Sequence, residues 1–277
     1  MRILNWDLFL EELVGESPIK NIQSYIGGMN LGLQDKLFFV DMVDFDAIVD
    51  FGCADGSFLK LVSEINPKIK LFAYDIDPNM LLKAKSKLGK GSIVTDNWDE
   101  IRKLVYFKRP LLNLSSAIHE VYSYSKTSDV KNFWDNQVFG GDFKYITIRD
   151  MIPSTEISKS EISQFKDDVK KVKQKFDRNY INSFEEKWGS LNSNYRTLIH
   201  FLLKYRFTDN WEREVAENYL PISIETLRKK IPSGYKIVYE DSFLLPFLKN
   251  RVKKDFNIDL IHPTHTKMII TNKNFRK

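Results

Sequence analysis

Apolar runs with few polar interruptions alternate with helical patterns between residues 46 and 150. Five runs have the length of strands, at residues 46–51, 69–75, 91–96, 110–116 and 143–150. Helical patterns occupy residues 31–43, 56–65, 78–88, 98–107 and 128–139. Near-continuous apolar strands are typical of a parallel sheet that helices cover on both faces. The sequence therefore predicts an α/β fold with a mostly parallel sheet.

After residue 155 only helical patterns follow, as far as about residue 230. Apolar residues spaced by three and four form one face of a predicted helix, namely Ile162, Phe165, Val169, Val172 and Phe176. Further helices are predicted at 192–206 and 211–220, and strands return at 234–241 and 265–273. Such a helical segment is far longer than a usual crossover. We expect residues 1–154 and 232–277 to form the core, and residues 155–231 to form a helical lid that is not an independent domain. The alternative is that these helices simply extend the core.

The composition fits one large α/β domain, or one domain with an appended subdomain. The chain has 277 residues, of which 43% are hydrophobic and 29% charged, as in ordinary globular proteins. Cys53 is the only cysteine, which excludes an intramolecular disulfide and a cysteine metal cluster. Acidic residues near the first methionine argue against a signal peptide, and no apolar run approaches the ~18 residues of a membrane helix. We expect a cytoplasmic protein with no membrane partner.

The charge is unevenly distributed along the chain. Residues 1–154 carry 18 basic and 21 acidic side chains, whereas residues 155–277 carry 24 and 16. Such asymmetry is found in proteins with a surface that faces an anionic partner. Lysine-rich helix faces in contact with solvent would produce the same numbers.

The turn after the first strand, in the stretch VDFGCADG, is the first candidate binding site, because ligands of open α/β sheets bind at the carboxyl ends of the strands. The dinucleotide fingerprint requires a glycine where this chain has Ala54. Asp50 and Asp55 would also repel a pyrophosphate, by about 4 kcal/mol for a like-charge pair at ~4 Å in an effective dielectric near 20. The two carboxylates instead suit a cationic ligand.

The same stretch resembles the first motif of the class I S-adenosylmethionine-dependent methyltransferases, an acidic residue followed by G-x-x-x-G. Three further stretches agree with this family in order and spacing: LFAYDIDP, IVTDNW and LLNLSSAIHEV. The resemblance implies an enzyme with a Rossmann-like, doubly wound and mostly parallel seven-stranded sheet. It also implies an antiparallel last strand, and the helical pattern of residues 155–231 would then be an insertion between strands five and six.

The resemblance implies S-adenosylmethionine as the cofactor. The residues that it assigns to cofactor binding are Asp50, Gly52, Cys53, Ala54, Gly56, Asp75, Ile76, Asp96, Asn97 and Ser115. In this family the residue matching Asp50 orients the amino-acid end of the cofactor, and the residue matching Asp75 accepts both ribose hydroxyls. Ile76 would lie against the adenine ring, Asp96 would face its amino group and Asn97 would supply a backbone contact.

The candidate catalytic residues follow the fourth and fifth strands. Several methyltransferases that act on oxygen or nitrogen have a histidine where this chain has His119, so we expect His119 to be a general base or to orient the acceptor. Glu120 is its candidate partner or a clamp on the substrate, and Tyr122 belongs to the same set. Arg149 would receive an acidic or phosphate group of the acceptor, or else pair with Asp150.

The acceptor has two candidate classes. RNA or another phosphate-bearing molecule is favoured by the basic second half. Aromatic residues among its lysines and arginines would suit base stacking, although aromatics at helical spacing more often belong to the core; they are Tyr180, Trp188, Tyr195, Tyr205, Trp211 and Tyr219. The alternative is a small molecule that the lid encloses. A cofactor-binding module without catalysis is the competing function. No metal is expected, because the further Glu and His ligands of metal-dependent RNA methyltransferases are missing at matching spacing.

Overall fold

The computed structural model describes residues 33–102, 107–159 and 162–275. In the first half, strands and helices alternate: α1 (Leu33–Lys36), β1 (Ala47–Phe51), α2 (Ser57–Ile65), β2 (Lys70–Tyr74), α3 (Pro78–Leu88), β3 (Ile93–Thr95), α4 (Trp98–Ile101), β4 (Pro110–Ser115), α5 (Ile118–Tyr124), α6 (Thr127–Asn132) and β5 (Tyr145–Asp150). A π-helical segment, Phe133–Val138, continues α6.

The second half begins with helices only. Between the fifth and sixth strands lie α7 (Ile162–Lys175), α8 (Arg178–Trp188), α9 (Tyr195–Lys204), α10 (Trp211–Ala216) and α11 (Ile224–Lys230), together with the 3₁₀ turns Thr155–Lys159 and Thr208–Asn210. The chain ends with β6 (Tyr235–Phe243), α12 (Pro246–Phe256) and β7 (His265–Asn272). No helix in the described ranges is long and apolar enough to cross a membrane.

The seven strands form one sheet in the order β3-β2-β1-β4-β5-β7-β6. The first five strands are parallel to one another, and β7 is antiparallel to both β5 and β6. The order reverses between β1 and β4, whose carboxyl ends lie side by side. The predicted fold class is therefore confirmed, including the antiparallel last strand and the helices between strands five and six.

The strand residues alternate between two apolar clusters, one on each face of the sheet. Val49 and Phe51 pack with α4, α5 and α11, whereas Ile48 packs with α2 and α3. This two-sided burial explains the near-continuous apolar strands of the sequence. A third cluster lies mainly within α7 to α10 and includes α12 through Leu248, Val252 and Phe256.

Several element predictions differ from the structure. Residues 31–43, predicted as a helix, contain only α1 and turns in their described part. The helix predicted at 98–107 is α4 as far as Ile101, and residues 103–106 of that prediction lie outside the described residues. The predicted helix at 128–139 changes from α to π hydrogen bonding at Phe133. Helices α5 and α12 were not predicted, whereas α8 and α11 lie in the region that was predicted as helical without bounds for them. All four bury a face against neighbouring elements.

Candidate functional site

The first candidate motif forms a tight turn between β1 and α2. Gly52, Ala54 and Gly56 have φ angles of +74°, +48° and +77°, in the left-handed region. A Cβ atom on Gly56 would lie 3.1 Å from Ala84 Cα in α3. Glycine at this position therefore allows the turn to pack closely against α3. Ala54 holds a conformation that costs about 1–3 kcal/mol for a residue with a side chain, a strain that proteins keep mainly at functional sites.

Asp75 connects the end of β2 to this turn. Its Oδ2 accepts a hydrogen bond from the Ala54 backbone N–H at 2.7 Å, and its Oδ1 accepts one from the Asp77 N–H at 3.0 Å. Burial raises the pKa of Asp75, although these bonds act to lower it. A carboxylate has about four acceptor positions, so each oxygen of Asp75 can still accept a hydroxyl group. That capacity fits the predicted role toward two ribose hydroxyls.

Asp50 belongs to a row of polar side chains across three neighbouring strands. Asp50, Asn113 and Thr147 are aligned in the register of β1, β4 and β5. Asn113 Nδ2 donates to Asp50 Oδ1 at 2.7 Å, and the Thr147 hydroxyl donates to Asn113 Oδ1 at 2.9 Å. Within the described residues, no lysine or arginine forms an ion pair with Asp50. Burial raises the pKa of Asp50 to about 7, despite the hydrogen bond from Asn113 and the nearby positive charge of Lys36 of α1.

Asp55 does not contribute to a cation site, contrary to the prediction. It accepts hydrogen bonds from the backbone N–H and the hydroxyl of Ser57 at 3.1 and 3.0 Å. Lys87 of α3 pairs with it at 2.5 Å. Burial acts to raise the pKa of Asp55, but Lys87 and Ser57 lower it below its usual range. Asp55 therefore holds the start of α2 and is already neutralised.

The remaining predicted cofactor residues lie around the same edge of the sheet. Cys53 is buried, and its thiol has a raised pKa because of that burial. Ile76 is half-buried against the apolar cluster of α4 and α5, and Asp96 is exposed at the end of β3. Asn97 caps α4 by accepting from the Asp99 N–H at 2.9 Å. Ser115 has a buried hydroxyl without a hydrogen-bond partner among the described residues.

His119 lies in the first turn of α5, with only 6% of its surface exposed. Its Nδ1 is 2.8 Å from Asp150 Oδ1 at the end of β5. Asp150 Oδ2 accepts the backbone N–H of Ile118 at 2.8 Å, so this one carboxylate fixes both the ring and the start of the helix. On the other side of the ring, Nε2 is 3.8 Å from Glu217 Oε2. Burial acts to lower the pKa of His119, but Asp150 and Glu217 outweigh it and raise the pKa to about 9.

Glu120 faces the helical insertion. Arg213 of α10 donates to Glu120 Oε1 at 2.9 Å and, through Nε, to Glu217 Oε1 at 2.9 Å. The hydroxyl of Tyr124 also donates to Glu217 Oε1, at 2.8 Å. The insertion thus covers one face of α5 with a hydrogen-bonded ionic network.

Tyr122 and Arg149 lie apart from this network. The hydroxyl of Tyr122 accepts a hydrogen bond from Trp134 Nε1 at 3.1 Å, so it faces the π-helical segment instead of His119. Arg149 pairs with Asp35 of α1 at 2.8 Å, and Lys267 pairs with the same carboxylate. The predicted pairing of Arg149 with Asp150 therefore differs from the structure, in which the ion-pair partner of Arg149 is Asp35.

His119, Glu120 and Glu217 offer ligand atoms that all lie within 4.8 Å of one another, a spacing that a metal ion could use. Arg213 already donates to both glutamates, however, and His119 Nδ1 is at hydrogen-bond distance from Asp150. In the described arrangement these side chains are therefore engaged with one another, and a metal ion would have to displace Arg213.

Sequence reasoning missed the residues that the insertion brings to this site. Arg213 and Glu217 come about 95 positions after Glu120, and no motif marks them. Lys204 was also missed: it is fully buried, and its ammonium group donates to the backbone carbonyls of Glu214 and Glu217. A lysine within the apolar face of the predicted helix at 192–206 was the available signal, because buried lysines need partners.

Comparisons with known proteins give structural likeness only. No protein-family model matches the chain, and no curated protein matches it. Similar solved structures include the plantazolicin methyltransferase BamL in complex with a triazolic desmethylPZN analog and SAH, which is 13% identical with a TM-score of 0.43. That match covers 91% of this chain and 87% of that chain.

Two further structures are similar to the same extent. A SAM-dependent methyltransferase from Archaeoglobus fulgidus is 15% identical with a TM-score of 0.44, over 86% of this chain and 93% of that chain. The N-methyltransferase NodS from Bradyrhizobium japonicum, in complex with S-adenosyl-l-homocysteine, is 10% identical with a TM-score of 0.44, over 87% and 86%. At these TM-scores and sequence identities, the similarity gives no information about the reaction that this chain catalyses. The strand order and the antiparallel last strand nevertheless give the chain the Rossmann-like fold that class I methyltransferases share.

Proposed function

We propose that this protein is an S-adenosylmethionine-dependent methyltransferase that acts on an oxygen or nitrogen atom of its acceptor. The observation that carries the proposal is a pair of acidic side chains at the carboxyl ends of β1 and β2, where an open α/β sheet has its ligand-binding crevice. There Asp50 is buried without an ion-pair partner among the described residues, and Asp75 lies over the first turn. Such a site favours a ligand that brings a positive charge and hydroxyl groups.

The residues of the crevice fit this cofactor in three respects. Asp50 offers a carboxylate to the ammonium group, and Asp75 has free acceptor positions for the ribose hydroxyls. Gly52 has φ +74° and only the Ala117 methyl, at 3.4 Å, near the position of a Cβ, so a ligand can approach its backbone closely. Ile76 and Asp96 would bind the adenine, as the family resemblance implies. When bound, the cofactor supplies an electrophilic methyl group on a sulfonium centre.

A diphosphate ligand fits the crevice poorly. A buried carboxylate would repel a pyrophosphate, and the chain lacks the glycine with which dinucleotide-binding loops approach it. Titration calorimetry that compares S-adenosylmethionine with NAD checks this point directly. Binding of NAD alone would contradict the proposal.

The chain contributes mainly by placing the acceptor. Methyl transfer is a displacement at carbon, so alignment of the attacking atom provides much of the rate enhancement. His119 follows the exit of β4, and Asp150 holds its ring in place. Because a ring with a pKa of about 9 is protonated at neutral pH, we assign His119 to orienting the acceptor by hydrogen-bond donation. Glu120 and Arg213 form the neighbouring wall of the acceptor site.

A small molecule is the better candidate for the acceptor. Recognition of RNA would use exposed aromatic rings for stacking, but Tyr195, Tyr205, Trp211 and Tyr219 are all buried in the cluster of the insertion. The insertion also contacts α5 directly through Arg213, as a lid that encloses a compact acceptor would. Acceptor binding should therefore change little between 50 and 200 mM salt, whereas RNA binding would weaken by orders of magnitude.

Transfer from methyl-labelled cofactor to fractionated pools of metabolites, RNA and protein tests the function. We expect label in a metabolite fraction, and a strong loss of transfer with His119→Ala. Unchanged transfer in that variant would remove His119 from the site. Full cofactor binding without transfer to any fraction would favour the competing function, a cofactor-binding module without catalysis.

A further inference from the structure

The insertion contacts one face of α5 through a short segment, residues 213–219. Besides the bonds of Arg213 and Glu217, the Asn218 backbone N–H donates to the Ser123 hydroxyl at 2.7 Å, and this hydroxyl donates to the carbonyl of His119 at 2.6 Å. The Tyr219 ring lies edge-on to the His119 ring, with the centroids 5.2 Å apart. The chain therefore places a carboxylate, a guanidinium and an aromatic ring directly over the first turn of α5.

Each ring nitrogen of His119 faces a carboxylate. Asp150 is at hydrogen-bond distance from Nδ1, and Glu217 Oε2 is 3.8 Å from Nε2. The two oxygens of Glu217 have separate roles, because Oε1 accepts the bonds from Arg213 and Tyr124 while Oε2 faces the ring. A carboxylate accepts hydrogen bonds and does not donate them. Both ring nitrogens are therefore placed to carry a proton.

We propose that Glu217 is a positioning residue of the proposed methyltransferase, which together with Asp150 holds His119 as an imidazolium, so that the ring donates a hydrogen bond instead of accepting a proton. This inference rests on the proposed function only where it says that the ring donates to a methyl acceptor. The protonation of His119 itself is a property of the free protein.

The charges around His119 agree with this assignment. From its own helix it faces Glu120, from β5 it faces Asp150, and from the insertion it faces Glu217. His265 on β7 has a pKa lowered to about 3 by burial, so it is neutral and adds no positive charge. Two cations lie near these carboxylates: Arg213, which donates to Glu217 and Glu120, and Lys36 of α1, whose pKa is lowered by burial and by the charge of Arg149. The carboxylates dominate the field at the ring.

The backbone of Glu217 is fixed as well as its side chain. The buried ammonium group of Lys204 donates to the carbonyls of Glu214 and Glu217, and it lies 4.2 Å from the centroid of the Tyr219 ring. Only 2% of the surface of Glu217 is exposed. A carboxylate held in this way keeps its position beside His119 without help from a ligand.

Histidine-selective ¹⁵N NMR on the protein without cofactor tests the proposal. The chain has four histidines, and the His119→Gln variant assigns the signal of His119. At pH 7.5 we expect both of its ring nitrogens to be protonated, and we expect Glu217→Gln to lower its proton affinity by at least about tenfold. The Glu217→Asp variant keeps the charge and should restore most of the affinity.

Glu212→Gln is the matched control, because Glu212 is exposed on α10 and the change removes the same charge. It should leave the titration of His119 unchanged. A neutral His119 ring at pH 7.5 in the unmodified protein would overturn the proposal, and so would the same titration in Glu217→Gln. The first of these measurements needs no variant, so a folding defect does not affect it.

Activity provides a second readout. If His119 acts as a donor, methyl transfer should decline as pH rises through about 9, and the decline should begin at lower pH in Glu217→Gln. A rate that instead rises with deprotonation of His119 would contradict the donor role. Absence of any methyl transfer would refute the proposed function, whereas the titration would still decide the protonation state of His119.

Discussion

In the proposed cofactor site, the buried carboxylate of Asp50 is the group on which we expect binding to depend most directly. It has 4% of its surface exposed, and its hydrogen bond comes from a neutral amide. A cationic ligand would relieve the cost of burying this charge. Binding of a cation would therefore recover the free energy that the buried charge of Asp50 costs the free protein.

Asp50→Asn should weaken S-adenosylmethionine binding and remove its pH dependence. Because burial raises the pKa of Asp50 to about 7, this carboxyl is mostly protonated at pH 6 and mostly ionised at pH 8 in the wild-type protein. Binding of a cation favours the ionised form, so wild-type affinity should rise about tenfold over this interval. Calorimetry at both pH values measures the difference. If the affinity of the variant depended on pH as strongly as that of the wild type, the pH dependence would come from a group other than Asp50.

The same variant should be more stable without cofactor. A carboxyl with a pKa raised from 3.8 to about 7 binds protons more tightly in the folded state, so its ionisation costs stability as pH rises through that interval. We expect Asp50→Asn to unfold at a higher temperature than the wild type at pH 8 and at a similar one at pH 4. If Asp50→Asn instead melted at a lower temperature than the wild type at pH 8, the charge of Asp50 would have to be compensated by other groups of the folded protein.

Asp75→Ala should weaken cofactor binding by about 1.5–3 kcal/mol, the scale of hydrogen bonds to a charged acceptor. The measurement is the dissociation constant by calorimetry. Asp77→Ala is the matched control, because Asp77 caps α3 by accepting from the N–H groups of Asn79 and Met80. Its loss should lower stability by about 1 kcal/mol with little effect on affinity. An unaltered dissociation constant in Asp75→Ala would refute the ribose role.

At the scale of elements, the first turn and α3 depend on each other. Gly56 has φ +77°, and a Cβ there would come within 3.2 Å of the side chains of Ala84 and Leu88. The contact ties the start of α2 to α3. It also holds in place the loop to which Asp75 bonds.

Gly56→Ala should therefore cost more stability than the left-handed backbone alone, which is about 1–2 kcal/mol, because the added methyl group also displaces α3. Leu88→Ala removes one of the side chains that this methyl group would meet. In the Leu88→Ala background the cost of Gly56→Ala should therefore be smaller. Chemical denaturation of the two single variants and the double variant measures the free energies of unfolding. Additive losses would mean that the α2–α3 contact yields without cost.

Sequence patterns predict well those elements whose burial is uniform. Every predicted strand overlaps an observed one. For β1, β2, β4 and β5 the reason is burial on both faces, which leaves a continuous apolar run. Helix α5 was missed because its seven residues include two tyrosines, a serine and a histidine, and only packing against the sheet and the insertion stabilises it. Helix α12 was missed for a related reason, since its buried face contacts a distant segment.

Sequence motifs predicted the part of the site that lies on adjacent strands. They did not predict the contacts between residues that are far apart in sequence. Gly52, Ala54 and Asp75 come together as the spacing indicates, because two adjacent parallel strands end at the same edge. The partners of Arg149 and His119 depend on which side chains face each other across the fold. Asp35 and Glu217, which meet them, lie 114 and 98 positions away in sequence.

At the scale of the whole molecule, the insertion shares its core with a helix from the end of the chain. Phe256 of α12 is 1% exposed, and its ring lies 4.9 Å from that of Tyr205 and 6.2 Å from that of Phe176. We therefore propose that residues 155–231 do not fold independently and that their core requires α12. The boundary drawn from the sequence, which assigned residues 232–277 wholly to the sheet, omits this connection.

Thermal unfolding should accordingly show one transition. Phe256→Ala should lower the free energy of unfolding by about 3–5 kcal/mol without separating the insertion from the sheet. Phe247→Ala on the same helix is the control, because Phe247 is 50% exposed and should cost less than about 1 kcal/mol. Tryptophan fluorescence and far-UV circular dichroism should melt together. Two separate transitions would establish the insertion as a domain.

The placement of α12 between β6 and β7 also bears on how such a protein could acquire a new acceptor. A graft of the insertion from a relative would leave the foreign helices without the apolar face on which they rest. A transplant would have to carry two pieces of chain at once, residues 155–231 and the excursion at 244–260, while the five parallel strands stayed in place. Recombination that exchanges only the longer piece should yield insoluble chimaeras, and exchange of both should yield folded ones.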